Sequence, residues 1–225
     1  MKTKKKSPFL GFYHYGVVLT YLSVAVAIVG IYFSVGGNQQ AAPHIGVICL
    51  LISGICDAFD GIVARTRKNR TREDKMFGER IDSLADLIAF GFAPTAIVFG
   101  MGINRWYFLP VFIFYALCAL IRLAHFDVTE IIRTENENAG KRTYYEGLPV
   151  TTSAIIIPFC YLIATLFEVR SLGYILTMLI GYIIVAFAFI LQFKVSKPGA
   201  KGVFKIIIIA AIILAVLLVL KLGLA

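Results

Sequence analysis

Seven long apolar runs, parted by short polar segments, restrict this chain to one kind of fold: a bundle of helices inside a lipid bilayer. Hydrocarbon about 30 Å thick takes roughly 20 helical residues to cross. By that measure the spans are residues 17–35, 45–64, 81–100, 106–121, 150–167, 172–191 and 203–220. Composition agrees, with 59% of the 225 residues hydrophobic, 16% charged and a mean hydropathy of +0.83. Water-soluble domains are nearer half apolar and a quarter charged, so a soluble globule, a disordered chain and a secreted disulfide scaffold are excluded. Cys49, Cys56, Cys118 and Cys160 lie singly within apolar runs, as small buried hydrophobes do. The basic N-terminus leads into an apolar stretch with no small-residue cleavage site behind it, which reads as a retained first span.

Orientation follows from the basic residues. With the N-terminus placed in the cytoplasm, nineteen of the 22 lysines and arginines fall inside, leaving Arg105, Arg170 and Lys221 outside. Of the thirteen acidic residues, Glu168 alone faces outward. The net charge of +9 is therefore a topological signal, and no nucleic-acid partner is expected. The polar apparatus faces the cytoplasm. Within the third span, Pro94 is expected to kink the helix, with the freed backbone groups satisfied inside the bundle.

The carboxylates are the sharpest feature. Asp57 and Asp60 stand three apart on the second span, Asp82 and Asp86 four apart on the third, so each pair shares a helix face. The second span runs toward the cytoplasm and the third returns. A hairpin of the two can therefore converge four carboxylates near the inner surface. Ionisable groups at such depth cost several kcal/mol each and ordinarily mark function. Divalent cations offset that cost, and a set of carboxylate oxygens suits Mg²⁺, Mn²⁺ or Ca²⁺ rather than zinc. Two readings stay open at this level: a clamp for phosphoryl groups, or the ion path of a cation transporter. Gly61, Ala64 and Gly78 lie one turn from a carboxylate, where they clear room for a bulky ligand or for helix packing. Arg65 offers a fork to phosphate oxygens.

Asp57, Asp60, Gly61, Ala64, Arg65, Gly78, Asp82 and Asp86 together resemble the signature of the CDP-alcohol phosphotransferases, D-x-x-D-G-x-x-A-R followed by G-x-x-x-D-x-x-x-D. The spacer 66–77 has twelve residues where the usual pattern has eight, and Lys75 stands where relatives often carry Ser or Thr. The extra residues fall in the polar loop, where they lengthen a helix end or turn without moving the carboxylates.

The resemblance implies an all-α, polytopic membrane domain over residues 1–225, with a six-helix core at about 15–195 and a seventh span added beyond it. It implies a homodimer that transfers a substituted phosphate from a CDP-linked lipid to an alcohol. Asp57, Asp60, Asp82 and Asp86 would bind two divalent metals, Mg²⁺ or Mn²⁺, with Ca²⁺ as an alternative occupant. Asp57, Gly61, Ala64, Arg65 and Gly78 would line the CDP-lipid pocket. Asp86 would deprotonate the acceptor hydroxyl, with CMP leaving.

Three further segments resemble the serine-accepting branch of that family. They are the run from Asp82 through Ser83, Phe90 and Gly91 to Pro94, the segment Arg122-Leu-Ala-His-Phe126, and Gly147-Leu-Pro149. The implied substrates are CDP-diacylglycerol and L-serine within a membrane of lipids. Arg122 at the inner end of the fourth span would take the amino-acid carboxylate, with His125 as a second contact. Asp127 and Glu146 read as solvated loop charges or as contacts for the ammonium. Glycerol 3-phosphate or an inositol phosphate remains the alternative acceptor.

Overall fold

Helices form where the apolar runs lie, and their ends fall where backbone groups find other partners. The computed structural model describes residues 11, 15–36, 42–66, 71–135, 144–196 and 200–223. A 3₁₀ turn, Tyr15–Val17, opens α1 (Val18–Gly36), and α2 follows at Ala42–Thr66. Next come α3 (Arg72–Asp86), a π-helical segment (Leu87–Phe92) and α4 (Ala93–Gly100), which together make one continuous span. The remaining helices are α5 (Leu109–Glu135), α6 (Ser153–Ala164), α7 (Leu172–Ile190) and α8 (Ala200–Gly223). Among the described residues, five spans are long and apolar enough to cross a membrane: Tyr15–Gly36, His44–Gly61, Arg72–Gly100, Trp106–Arg133 and Leu172–Ile190. Shorter apolar helices lie at Val150–Ala164 and Ile208–Val219. The chain is thus an all-α polytopic membrane protein. Its outward faces carry residues such as Ile184 and Val219, while Tyr115, Tyr182, Phe90 and Phe189 fill the interior.

Three differences from the expected helix bounds bear on the site and on the spans. First, α3 begins at Arg72 rather than 81, because Thr71 caps it: its hydroxyl accepts from Asp74 N–H at 3.1 Å while Asp74 accepts from Thr71 N–H at 3.2 Å. Of the spacer 66–77, Thr66 closes α2 and residues 72–77 belong to α3. Second, α5 runs on past residue 121 to Glu135, so Asp127 and Glu130 stand on a helix, not in a loop. Third, the helix expected to reach 167 ends at Ala164, where Leu166 and Phe167 turn back onto Ile163 and Ala164. At about 1.5 Å per residue, Val150–Ala164 falls short of a bilayer's thickness.

The carbonyl freed by Pro94 is satisfied inside the bundle, as expected. Pro94 has no N–H for the Phe90 carbonyl one turn back. That carbonyl accepts instead from the Tyr115 hydroxyl at 2.8 Å and the Ser153 hydroxyl at 3.4 Å, and the Pro94 carbonyl accepts from Tyr182 at 2.5 Å. The helix widens before it, with Ala93 N–H reaching back to Ile88. This widening starts directly after Asp86.

A short ribbon, β1 (Tyr144–Glu146) and β2 (Lys194–Ser196), pairs antiparallel, Tyr145 opposite Val195. Gly147 follows at φ +71, and its N–H donates to Phe193 O at 2.8 Å. Leu148 N–H donates to Ala188 O at 2.9 Å, satisfying a carbonyl in the last turn of α7. A Cβ at Gly147 would lie 2.9 Å from Phe189 O. Gly147→Ala is therefore expected to cost about 1–3 kcal/mol. A lower melting temperature in detergent micelles is the readout, and an unchanged one would count against the close packing described.

Candidate metal and phosphate site

The axial register of α1 against α2 sets the site. The inward face of α1 is small: Thr20, Ser23, Ala27, Gly30 and Ser34 are buried at helical spacing. Ser23 and Ser53 lock the pair, with hydroxyls 2.7 Å apart and the Ser53 hydroxyl donating to Ser23 O at 3.0 Å. Farther along α1, Thr20 donates to Asp60 Oδ2 at 3.0 Å. From the other side α3 brings Asp82 and Asp86.

The expected convergence is present. Asp57, Asp60 and Asp82 each offer an oxygen within 4.8 Å of the others. Across the two helices, Asp57 faces Asp86 and Asp60 faces Asp82 within hydrogen-bonding reach. Asp60 is buried, and its three partners are half-buried. Two basic side chains on α3 turn elsewhere, Lys75 to Glu79 at 4.0 Å and Arg80 to Asp127 at 2.5 Å. Carboxylates packed this closely repel one another, and a cation among them removes the repulsion. Two oxygens on one ion bound at about 2.3–2.6 Å can stand up to about 5 Å apart, so the observed spread admits one without rebuilding the helices. The residues therefore fit a hard divalent cation.

Gly61 and Gly78 lie on the same helices, half-buried. The side chains of Ala64 and Arg65 lie outside the described residues. A cleft of about 210 Å³ opens beside Asp82, lined by Arg80, Ser83, Phe126, Asp127 and Glu130 among others. Asp127 organises this wall: it accepts from Ser83 Oγ at 2.6 Å as well as from Arg80. An apolar slot of about 290 Å³ shares Arg80, Ser83 and Asp127, and adds Leu84, Leu87, Leu120, Leu123 and Ala124.

Arg122 and His125 line a different cleft, about 230 Å³, with Glu146 and Gln192 near the end of α7. Arg122 is buried, and its guanidinium lies 5.4 Å from the centre of the Phe126 ring, which also borders the Asp82 cleft. Phe126 therefore touches both the Asp82 cleft and the buried arginine of the other one. Sequence reasoning missed Thr20 and the placement of Asp127, and it carried Ser83 as part of a resembling run without its bond to Asp127. For Asp127 a signal existed, because 120, 123, 124, 127 and 131 share one helical face that runs on past Arg122.

A family model described as CDP-alcohol phosphatidyltransferase matches residues 14–216. The CDP-diacylglycerol–serine O-phosphatidyltransferase of Saccharomyces cerevisiae is 42% identical over 113 residues, 49% of this chain and 40% of the yeast protein. The archaetidylserine synthase of Methanothermobacter thermautotrophicus is 26% identical over 186 residues, 82% of this chain and 70% of that one. A CDP-diacylglycerol–serine O-phosphatidyltransferase from Methanocaldococcus jannaschii is 30% identical over 138 residues, 61% of this chain and 59% of its own. The chain spans well under two thirds of the length of the yeast relative it matches.

Proposed function

This chain belongs to the CDP-alcohol phosphatidyltransferase family, and from that premise we propose that it moves a phosphatidyl group from CDP-diacylglycerol to the hydroxyl of L-serine, releasing CMP. The observation that carries the reading is the meeting of Asp57, Asp60, Asp82 and Asp86 between α2 and α3.

In this reading Asp57, Asp60 and Asp82 hold Mg²⁺ or Mn²⁺, with Asp86 completing a two-metal site. The bound ions supply the positive charge that neutralises the diphosphate. Gly61, Ala64, Arg65 and Gly78 border the cytidine diphosphate, and the apolar slot between α3 and α5 suits an acyl chain. Asp86 takes the proton from the serine hydroxyl. The oxygen then forms its bond to the lipid-bearing phosphorus as the bond to the CMP oxygen breaks. Support for Asp86 as the base is its place beside Asp57, outside the Asp57–Asp60–Asp82 triad, since a carboxylate fully committed to a cation accepts no proton.

The neighbouring cleft supports serine as the acceptor. Arg122 with His125 suits a carboxylate, and Glu146 in the same wall suits an ammonium. That pairing matches a zwitterion, whereas glycerol 3-phosphate or an inositol phosphate calls for further cations. The serine-named relatives favour the same acceptor. We place the site on the cytoplasmic side, from the distribution of lysine and arginine, and take the working unit to be a homodimer. The match to an archaetidylserine synthase favours a second reading, the same transfer from an ether-lipid donor.

The test is CMP release by the purified protein, with diacyl and ether CDP-lipids against serine, glycerol 3-phosphate and inositol phosphate. Serine is expected to support turnover that EDTA abolishes and Mg²⁺ or Mn²⁺ restores. Arg122→Ala should raise the KM for serine about tenfold or more, the loss of a charged hydrogen bond. Turnover with a phosphate-bearing acceptor alone would refute the serine assignment. Ion flux without CDP-lipid turnover would replace the enzyme by a transporter.

A further inference from the structure

We propose that Thr20 is a positioning residue for Asp60, holding one carboxylate oxygen so that the other faces a cation shared with Asp57 and Asp82. The inference rests on the metal reading above and concerns a helix outside the eight-residue signature.

Threonine in a helix ordinarily returns its hydroxyl to a carbonyl of its own preceding turn. Thr95, Thr129 and Thr165 do so to Phe92, Phe126 and Leu162, and Thr177 does so to Gly173. Thr20 departs from that habit. Its hydroxyl crosses to α2 and donates to Asp60 Oδ2 at 3.0 Å, with both residues buried.

The crossing is built, because three contacts fix how α1 lies along α2. Ser23 and Ser53 exchange hydrogen bonds, and Gly30 lies so close that a Cβ on it would stand 2.7 Å from the Cys49 Cβ. Ser34 lies closer still to Gly46 farther along, where a Cβ would stand 1.9 Å from the Ser34 hydroxyl oxygen. With this register held, the Thr20 hydroxyl lies within hydrogen-bonding distance of Asp60. A carboxylate with one oxygen tied to a neutral donor keeps its charge and presents the second oxygen in a fixed direction. Partners of this outer kind are typically worth 10- to 100-fold in metal affinity.

The experiment is a Mn²⁺ titration of the full chain in detergent micelles, read by the electron paramagnetic resonance of free Mn²⁺. Thr20→Val, which keeps the shape and removes the hydroxyl, is expected to weaken Mn²⁺ binding about 10- to 100-fold. Thr20→Ser should restore it to within a few fold. Thr20→Ala provides the same loss without a misplaced methyl, should the valine variant fold poorly. A purely structural role would lower the metal-free melting temperature of the variants and leave the Mn²⁺ constant alone, and that result overturns the inference. Wild-type protein that takes up no Mn²⁺ overturns it too, together with the metal reading. Wild-type uptake with no turnover leaves Thr20 judged by the titration and refutes only the transfer reaction.

Discussion

Asp86→Asn is expected to lower CMP release from CDP-diacylglycerol and serine by about 10²- to 10⁴-fold, the usual worth of a general base. Asparagine keeps the size of the side chain and can still hydrogen-bond to Asp57, so packing around the start of the π-helical segment is preserved. It cannot accept a proton. It also removes one negative charge from a crowded cluster, so the variant's melting temperature should equal or exceed that of the parent. Asp60→Asn provides the contrast. Asp60 belongs to the triad whose oxygens lie within 4.8 Å, so its change should abolish Mn²⁺ uptake and turnover together. Asp86→Asn should weaken uptake much less than it weakens turnover. If the two variants lose Mn²⁺ equally, Asp86 is a ligand first and some other group takes the proton.

The convergence of the four aspartates was legible because it is a local property twice over. Spacings of three and four put each pair on one face, and consecutive spans running in opposite directions bring the two pairs to one depth. The capping box at Thr71 and Asp74 was equally local, yet the charge density around it resembles a loop, and the early start of α3 was missed. The extension of α5 was hidden the same way. Polar residues after Arg122 suggest an exit from the membrane, although the Glu130–Arg133 ion pair at i, i+3 is what a solvated helix carries. What no pattern contains is partnership across long separations. Thr20 and Asp60 are forty residues apart, and β1 pairs with β2 across two helices. Such contacts depend on register, and register depends on which small residues let two backbones approach.

That dependence gives the largest structural effect expected in the molecule. A Cβ placed on Gly100 would stand 1.9 Å from the backbone oxygen of Ser34 and 2.4 Å from its carbonyl carbon. A carbonyl cannot rotate away as a side chain can, so Gly100→Ala forces α1 and α4 apart. Overpacking ordinarily costs 1–3 kcal/mol, and a backbone collision belongs above that range, at about 3 kcal/mol or more. The readout is a large fall in melting temperature in detergent micelles, or failure to recover folded protein. Gly46→Ala separates this cause from general crowding. Its Cβ would lie 1.9 Å from Ser34 Oγ, a side-chain atom, so the companion change Ser34→Gly should recover much of the loss. The same companion should do little for Gly100→Ala, whose obstacle is the peptide itself. Because α1 also carries Thr20, surviving Gly100→Ala protein should bind Mn²⁺ more weakly than the parent. Parent-like melting of Gly100→Ala would mean that α1 does not lie this close to α4, and the path by which Thr20 reaches Asp60 would have to be redrawn.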